Sequence, residues 1–166
     1  MINIDQFLES CAHETKVIQH LATKVPEGSD DYRPTPGQRS MRELMQYLTR
    51  TAAVPMAYVA DGDWSRAEEI SSICDQVTPE NFAAEMDNQM AFLKAELAKL
   101  EGKALDTLPC TMPWGTPCTT GEYLINAVGK SFTAYRMQFF LYLKAAGATD
   151  LGSMQCWVGV DPAPAS

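Results

Sequence analysis

Apolar residues recur at steps of three and four along four long stretches, each closed by proline or glycine. This pattern predicts four amphipathic helices. The first runs from Ile4 to about Lys24, with Ile4, Phe7, Leu8, Cys11, Thr15, Ile18, Ala22 and Val25 on one stripe. Pro26 and Gly28 end it, since proline cannot continue a helical ladder. Ser40 and Glu43 form a capping box that starts the second helix, Met41 to about Ala60. Its inward stripe is Leu44, Tyr47, Leu48, Thr51, Val54 and Tyr58, and Pro55 within it predicts a kink. A short helix is expected over Trp64 to Cys74. Thr78 and Pro79 then open the third long helix, which carries Phe82, Met86, Met90, Leu93, Leu97 and Leu100 to a stop at Gly102.

Lys103 to Cys118 holds Pro109, Pro113, Gly115 and Pro117 and reads as an irregular crossover. A second capping box, Thr119 with Glu122, starts the fourth helix, which continues to Ala146 before Gly147. Its stripe is Leu124, Val128, Ser131, Tyr135, Gln138, Phe139, Tyr142 and Ala146. Helices of about 20–26 residues span roughly 30–39 Å. Four of matched length, with one seam each, predict a single all-α domain, a four-helix bundle over residues 1–150. Residues 151–166 read as a C-terminal tail that packs through Met154 and Trp157 and then frays.

The 166 residues suffice for one domain, and folding at this size buries about 68–70% of the unfolded surface. A net charge of −8 with no basic cluster argues against nucleic acid or an anionic membrane surface as partner. No run approaches the ~20 apolar residues of a membrane span. The opening Met1-Ile2-Asn3-Ile4-Asp5 has neither the basic start nor the apolar stretch of an export signal. With five irregularly spaced cysteines, the expectation is reduced thiols and a cytoplasmic protein.

Candidate chemistry is sparse. His13 and His20 are the only histidines, and they fall on the side of the first helix away from its stripe, which predicts two solvated rings. The Glu-x-x-His pairs of di-iron bundles, phosphate loops, dinucleotide fingerprints and hydrolase elbows are absent from the sequence. The acidic residues, Glu96 among them, read as a solvated face. Cys118 lies just before the fourth helix, where a helix start favours thiolate, and it is the candidate reactive thiol. The interior stripes also carry a polar set, Tyr47, Thr51, Ser131, Tyr135 and Gln138. A buried hydroxyl without a partner costs about 1–3 kcal/mol. These groups therefore form either a satisfied polar knot or the lining of a pocket.

Three stretches resemble the DinB-like superfamily of bacterial four-helix bundles. Tyr32-Arg33-Pro34-Thr35-Pro36-Gly37-Gln38-Arg39-Ser40-Met41-Arg42-Glu43-Leu44 is similar to the family's loop into helix two. Thr119-Thr120-Gly121-Glu122-Tyr123-Leu124 is similar to the start of its last helix. Tyr135-Arg136-Met137-Gln138-Phe139, with Leu141-Tyr142-Leu143-Lys144 and Gly147, resembles its closing H-R-G-Q-L and Y-L-R segments. The resemblance implies an up-down-down-up bundle, a homodimer, and relatives that hold one divalent metal on three histidines. Some of those relatives are thiol-dependent transferases. Carried over by spacing, the three ligand positions are Tyr47, Ser131 and Tyr135. Neutral hydroxyls bind metals poorly, so the expectation is a degenerate metal site, no cofactor and no family-type catalysis.

Three functional readings follow: a non-catalytic small-ligand-binding bundle, an S-transferase-type enzyme using Cys118 at a different site, and a structural bundle. A homodimer would use outward apolar residues such as Phe140 and Leu141.

Overall fold

A computed structural model of the chain describes residues 3–163. Its helices are α1 (Ile4–Ala22), α2 (Met41–Leu48), α3 (Ala53–Asp61), α4 (Ala67–Cys74), α5 (Phe82–Ala98), α6 (Thr120–Tyr123) and α7 (Lys130–Ala145). A π-helical segment, Leu124–Gly129, joins α6 to α7, and a second one covers Met154–Val158. Two short strands, β1 (Pro109–Thr111) and β2 (Pro117–Thr119), pair as an antiparallel hairpin. The four arms of the bundle are α1, α2–α3, α5 and α6–α7.

Side-chain contacts set their directions. Glu14 of α1 meets Arg136 of α7, and Phe7 lies against Gly129, so those arms run parallel. Gln19 of α1 bonds Ala83 and Asp87 at the opposite end of α5, which makes that pair antiparallel. Tyr47 packs on Tyr135, and Tyr58 on Tyr123, so α2–α3 runs against α6–α7. The order is therefore up-down-down-up. Ile18, Leu21, Leu44, Met56, Phe82, Leu93, Phe132 and Phe139 fill the core, each almost wholly buried. Among the described residues, no helix is long and apolar enough to cross a membrane.

Both expected capping boxes are present, at Ser40/Glu43 and Thr119/Glu122. The second arm differs from expectation: instead of one kinked helix it is two, separated at residues 49–52. Pro55 explains the break. Inside a helix its ring would clash with the Thr51 carbonyl and leave it without a donor, whereas in a first turn its missing N–H costs nothing. Restarting at Ala53 puts Pro55 in that first turn. The restart exposes amides that no helical carbonyl can satisfy. Gln89, a buried side chain on α5, takes them: its Oε1 accepts from Ala52 N at 2.9 Å and Ala53 N at 3.2 Å, and its Nε2 donates to the Leu48 carbonyl at 3.0 Å. One amide thus splices both ends of the break.

The last arm also departs from regular geometry. The π-helical turn holds an extra residue, so the inward face beyond it is led by Phe132, Arg136, Phe139 and Leu143. These stand one position on from Ser131, Tyr135 and Gln138, which become half-buried flanking residues. The long crossover contains the hairpin, which alternation of apolar and polar residues did not signal. The third long helix starts at Phe82 rather than Pro79, because Pro79 and Glu80 occupy a turn.

Residues 151–163 form an ordered cover over α1 rather than a loose tail. The segment packs through Leu151, Gln155 and Cys156, while Met154 and Trp157 stay largely exposed. The buried Arg136 holds it: the guanidinium pairs with Glu14 at 2.5 Å, bonds the Cys156 carbonyl and lies 4.7 Å from the Trp157 ring. Gly159, at φ +73°, passes so close that an added Cβ would sit 3.1 Å from Val17 Cα. The segment also engages the face expected to be solvated. His13 stays exposed as expected, its Nε2 donating to the Trp157 carbonyl at 2.8 Å, whereas His20 is half-buried, 3.5 Å from Asp161. Glu96 is likewise buried, in an ion pair with Arg66 at 3.1 Å and Lys99 at 2.7 Å. Residues 164–166 of the expected tail and residues 1–2 lie outside the described residues.

Two outcomes are expected. Gln89→Leu leaves two amides and a carbonyl unpaired in the core and lowers stability by at least about 3 kcal/mol in urea unfolding. Cys11, buried and near Glu14, has its thiol pushed from 9.0 up to about 12. The folded state thus favours the neutral thiol, and stability present below pH 9 is lost as pH rises toward 12. The urea midpoint falls between about pH 8 and about pH 11, and falls less in Cys11→Ala.

Candidate functional site

The break in the second arm and the π-helical turn of the last arm lie opposite one another. Between them is a cavity of about 400 Å³. Tyr47, Arg50 and Thr51 enter from the end of α2 and the break, with Val54 and Pro55 from α3. Asn126 and Ala127 come from the π-helical turn, and Ser131 from α7. Trp64 and Ser71 form one rim, and Pro113 and Trp114, at the tip of the hairpin, form the other. Trp64 belongs to an aromatic column: it stacks on Tyr58 at 4.4 Å, which stacks on Tyr123 at 5.5 Å.

Local polar chemistry explains much of the lining. The wide turn shifts the helical hydrogen bonds, and nearby side chains bond its neighbouring carbonyls: Asn126 Nδ2 donates to Glu122 O at 2.9 Å, and Ser131 Oγ to Ala127 O. Arg50 donates to the Ser71 carbonyl at 3.0 Å and to Asp75 at 2.8 Å, and Gln46 donates to the carbonyls of Asp75 and Val77. These contacts fix α4 beside the cavity. The Tyr47 ring has Arg39 3.9 Å above it and Tyr135 at 4.6 Å. Burial, and then the neighbouring Tyr135 hydroxyl, push the Tyr47 phenol above its ordinary value of 10.0. It is a neutral hydroxyl at physiological pH.

Thr51 is the exception to this satisfied network. The residue is 4% exposed, and Oγ1 has no hydrogen-bond partner within 3.5 Å, with the Tyr47 hydroxyl beside it at longer range. The residue lies in the break, where the chain is neither α2 nor α3, and it lines the cavity.

Of the five polar residues expected in one cluster, Tyr47, Thr51 and Ser131 line the cavity, and Tyr135 packs on Tyr47 from outside it. Gln138 is not part of the lining; its Nε2 donates to Tyr142 Oη at 3.2 Å, because the wide turn displaces it. Cys118 lies on β2 opposite Cys110, and burial, with the Glu122 charge adding to it, raises its thiol above 9.0. The pattern missed Arg50, Trp64, Asn126, Pro113 and Trp114. A usable signal was present in the repeated triplets Pro109-Cys110-Thr111 and Pro117-Cys118-Thr119, which flank a Pro-Trp-Gly turn.

No family model matches the chain, and no curated protein matches it. Solved structures do match. A DinB-like protein from Bacillus subtilis superposes with a TM-score of 0.67 at 19% identity, covering 89% of this chain and 96% of that one. A putative member of the DinB family from Exiguobacterium sibiricum gives 0.68 at 20% identity, covering 93% and 99%. The chain has the DinB-like fold. At such identities the likeness carries architecture, and chemistry must come from the residues.

The metal implied by resemblance to that superfamily does not fit this donor set. Tyr47 would have to ionise against its burial, and Ser131 offers only a neutral hydroxyl, a weak metal ligand. Among the described residues, no three of His, Cys, Asp and Glu converge elsewhere to hold an ion.

Replacing Thr51 by Val keeps the shape and removes the unpartnered hydroxyl. In ligand-free protein this raises stability by about 1 kcal/mol, read as a higher urea midpoint at unchanged slope.

Proposed function

We propose that this DinB-like chain is a non-catalytic small-ligand-binding bundle with a degenerate metal site. The carrying observation is the Thr51 hydroxyl, buried without a partner at the wall of a cavity that Trp64 and Trp114 leave open. An unpaired buried hydroxyl is costly unless a bound group supplies the hydrogen bond. The ligand that suits these walls is flat and mostly apolar, with one polar group facing Thr51 and Arg50. The Arg50 guanidinium, anchored by Asp75 and the Ser71 carbonyl, offers its remaining N–H groups to an acceptor on that polar group. Hydroxyls in place of imidazoles at Tyr47, Ser131 and Tyr135 support the non-catalytic part of the reading.

An S-transferase centred on Cys118 has less support, because its thiol is held protonated at physiological pH. The reading also includes a homodimer through the outer face of α7, where Leu141 is exposed and Phe140 half-buried. A reducing cytoplasm accords with five free cysteines.

The test uses 8-anilinonaphthalene-1-sulfonate, an aromatic anion of suitable shape, titrated at neutral pH. Saturable binding of one equivalent is expected, weakened about tenfold, or about 1.4 kcal/mol, in Trp114→Ala. Weak, non-saturating fluorescence, or equal affinity in the variant, contradicts the reading.

A further inference from the structure

The hairpin that carries Trp114 holds a second feature, which stands whether or not the cavity binds a ligand. Cys110 and Cys118 are direct partners across the two strands. Met112 N donates to Thr116 O, and Thr120 N donates to Leu108 O, both at 2.8 Å. Bonded pairs alternate along an antiparallel ladder, so Cys110 and Cys118 form the bonded pair between those two. Pro109 and Pro117, which have no N–H, fall at the non-bonded positions, as the ladder requires. Residues opposite each other in such a pair project from the same face. Their Cα atoms are about 5.5 Å apart, inside the range of roughly 4.4–6.8 Å that a disulfide spans. The Cβ atoms of a bonded pair stand about 5.5 Å apart, against roughly 3.5–4.5 Å in a disulfide, so the link must draw the strands together and is readily reduced. Both thiols are half-buried, and the charge of Cys118 acts on Cys110.

The surroundings suit reversible chemistry. Cys118 is the nearer of the two to solvent and borders an open groove with Met112, Trp114 and Glu122. The three-residue tip, Pro113-Trp114-Gly115, is closed by Gly115 at φ +89° and by its N–H on the Met112 carbonyl at 2.8 Å. A link between residues 110 and 118 would therefore clamp the base of the tip whose Pro113 and Trp114 form the cavity rim. Cys11, Cys74 and Cys156 are buried and have no strand partner.

We propose that Cys110 and Cys118 are a reversible disulfide site, oxidised by a low-molecular-weight disulfide and stapling the hairpin at the rim of the cavity. In the first step the Cys118 thiol gives up its proton and its sulfur attacks one sulfur of the reagent. The reagent's S–S bond breaks, and one thiol leaves with that proton. In the second step Cys110 loses its proton and its sulfur attacks the Cys118 sulfur of the mixed disulfide. The second reagent thiol leaves with the second proton. The protein loses two electrons and two protons, and the reagent disulfide gains them as two thiols. Raised thiol pKa values make the site slow at neutral pH and faster in mild alkali.

The test incubates the folded wild-type chain with glutathione disulfide, then counts thiols after denaturation and maps peptides by mass. The expected result is loss of two of the five thiols, no retained glutathione, a peptide joining Cys110 to Cys118, and full recovery with dithiothreitol. Cys110→Ser should retain one glutathione on Cys118. Five intact thiols under conditions that oxidise a control dithiol would overturn the proposal. So would a persistent mixed disulfide on the wild type, or a link through Cys11, Cys74 or Cys156.

Discussion

The side-chain amide of Gln89 is the interaction on which the rest of the molecule depends. A helix broken inside a bundle exposes polar backbone in a place where water cannot reach it. Each such group left unpaired costs about 1–3 kcal/mol, a large share of a domain's net stability of about 5–15 kcal/mol. Gln89 carries an acceptor oxygen with two lone pairs and a donor nitrogen on one rigid planar group, and it satisfies amides at Ala52 and Ala53 and a carbonyl at Leu48. Because it projects from α5, it also ties the second arm of the bundle to the third. The break can then persist, and Thr51 is held in it beside the cavity.

The opposite wall is built on the same logic. A π-helical turn widens the last arm, and Asn126 and Ser131 add side-chain bonds to the carbonyls of Glu122 and Ala127 beside it. Both irregularities thus lie at one level of the bundle and face each other. Regular helices there would bring their side chains into contact and close the space. Two faults, one bonded by Gln89 from α5 and the other by its own Asn126 and Ser131, keep it open. The hairpin tip and the α3–α4 corner then add Trp114 and Trp64 as apolar walls.

Periodicity and caps made most of the architecture readable. Ser40 with Glu43 and Thr119 with Glu122 mark helix starts through short-range bonding that needs no tertiary context. The two faults were less legible. Pro55 signalled a disturbance, but whether the chain kinks or restarts depends on Gln89, which is 34 positions further on. The wide turn over Leu124–Gly129 contains no proline, and its only trace is an inward face that shifts by one position. That shift is why Gln138 falls outside the cavity and Arg136 turns into the interior. The fate of residues 151–163 was hidden for a similar reason. Their anchor is the pairing of Arg136 with Glu14 across two distant helices, and a sequence read element by element assigns both residues to solvent.

The most direct measurement is amide hydrogen exchange at Ala52 and Ala53 in the folded protein. Amides at a helix start have no helical carbonyl to protect them. If the Gln89 splice holds the break, both should exchange as slowly as amides at the centre of α5. Rapid exchange at these two positions, with the rest of the bundle protected, would contradict the account.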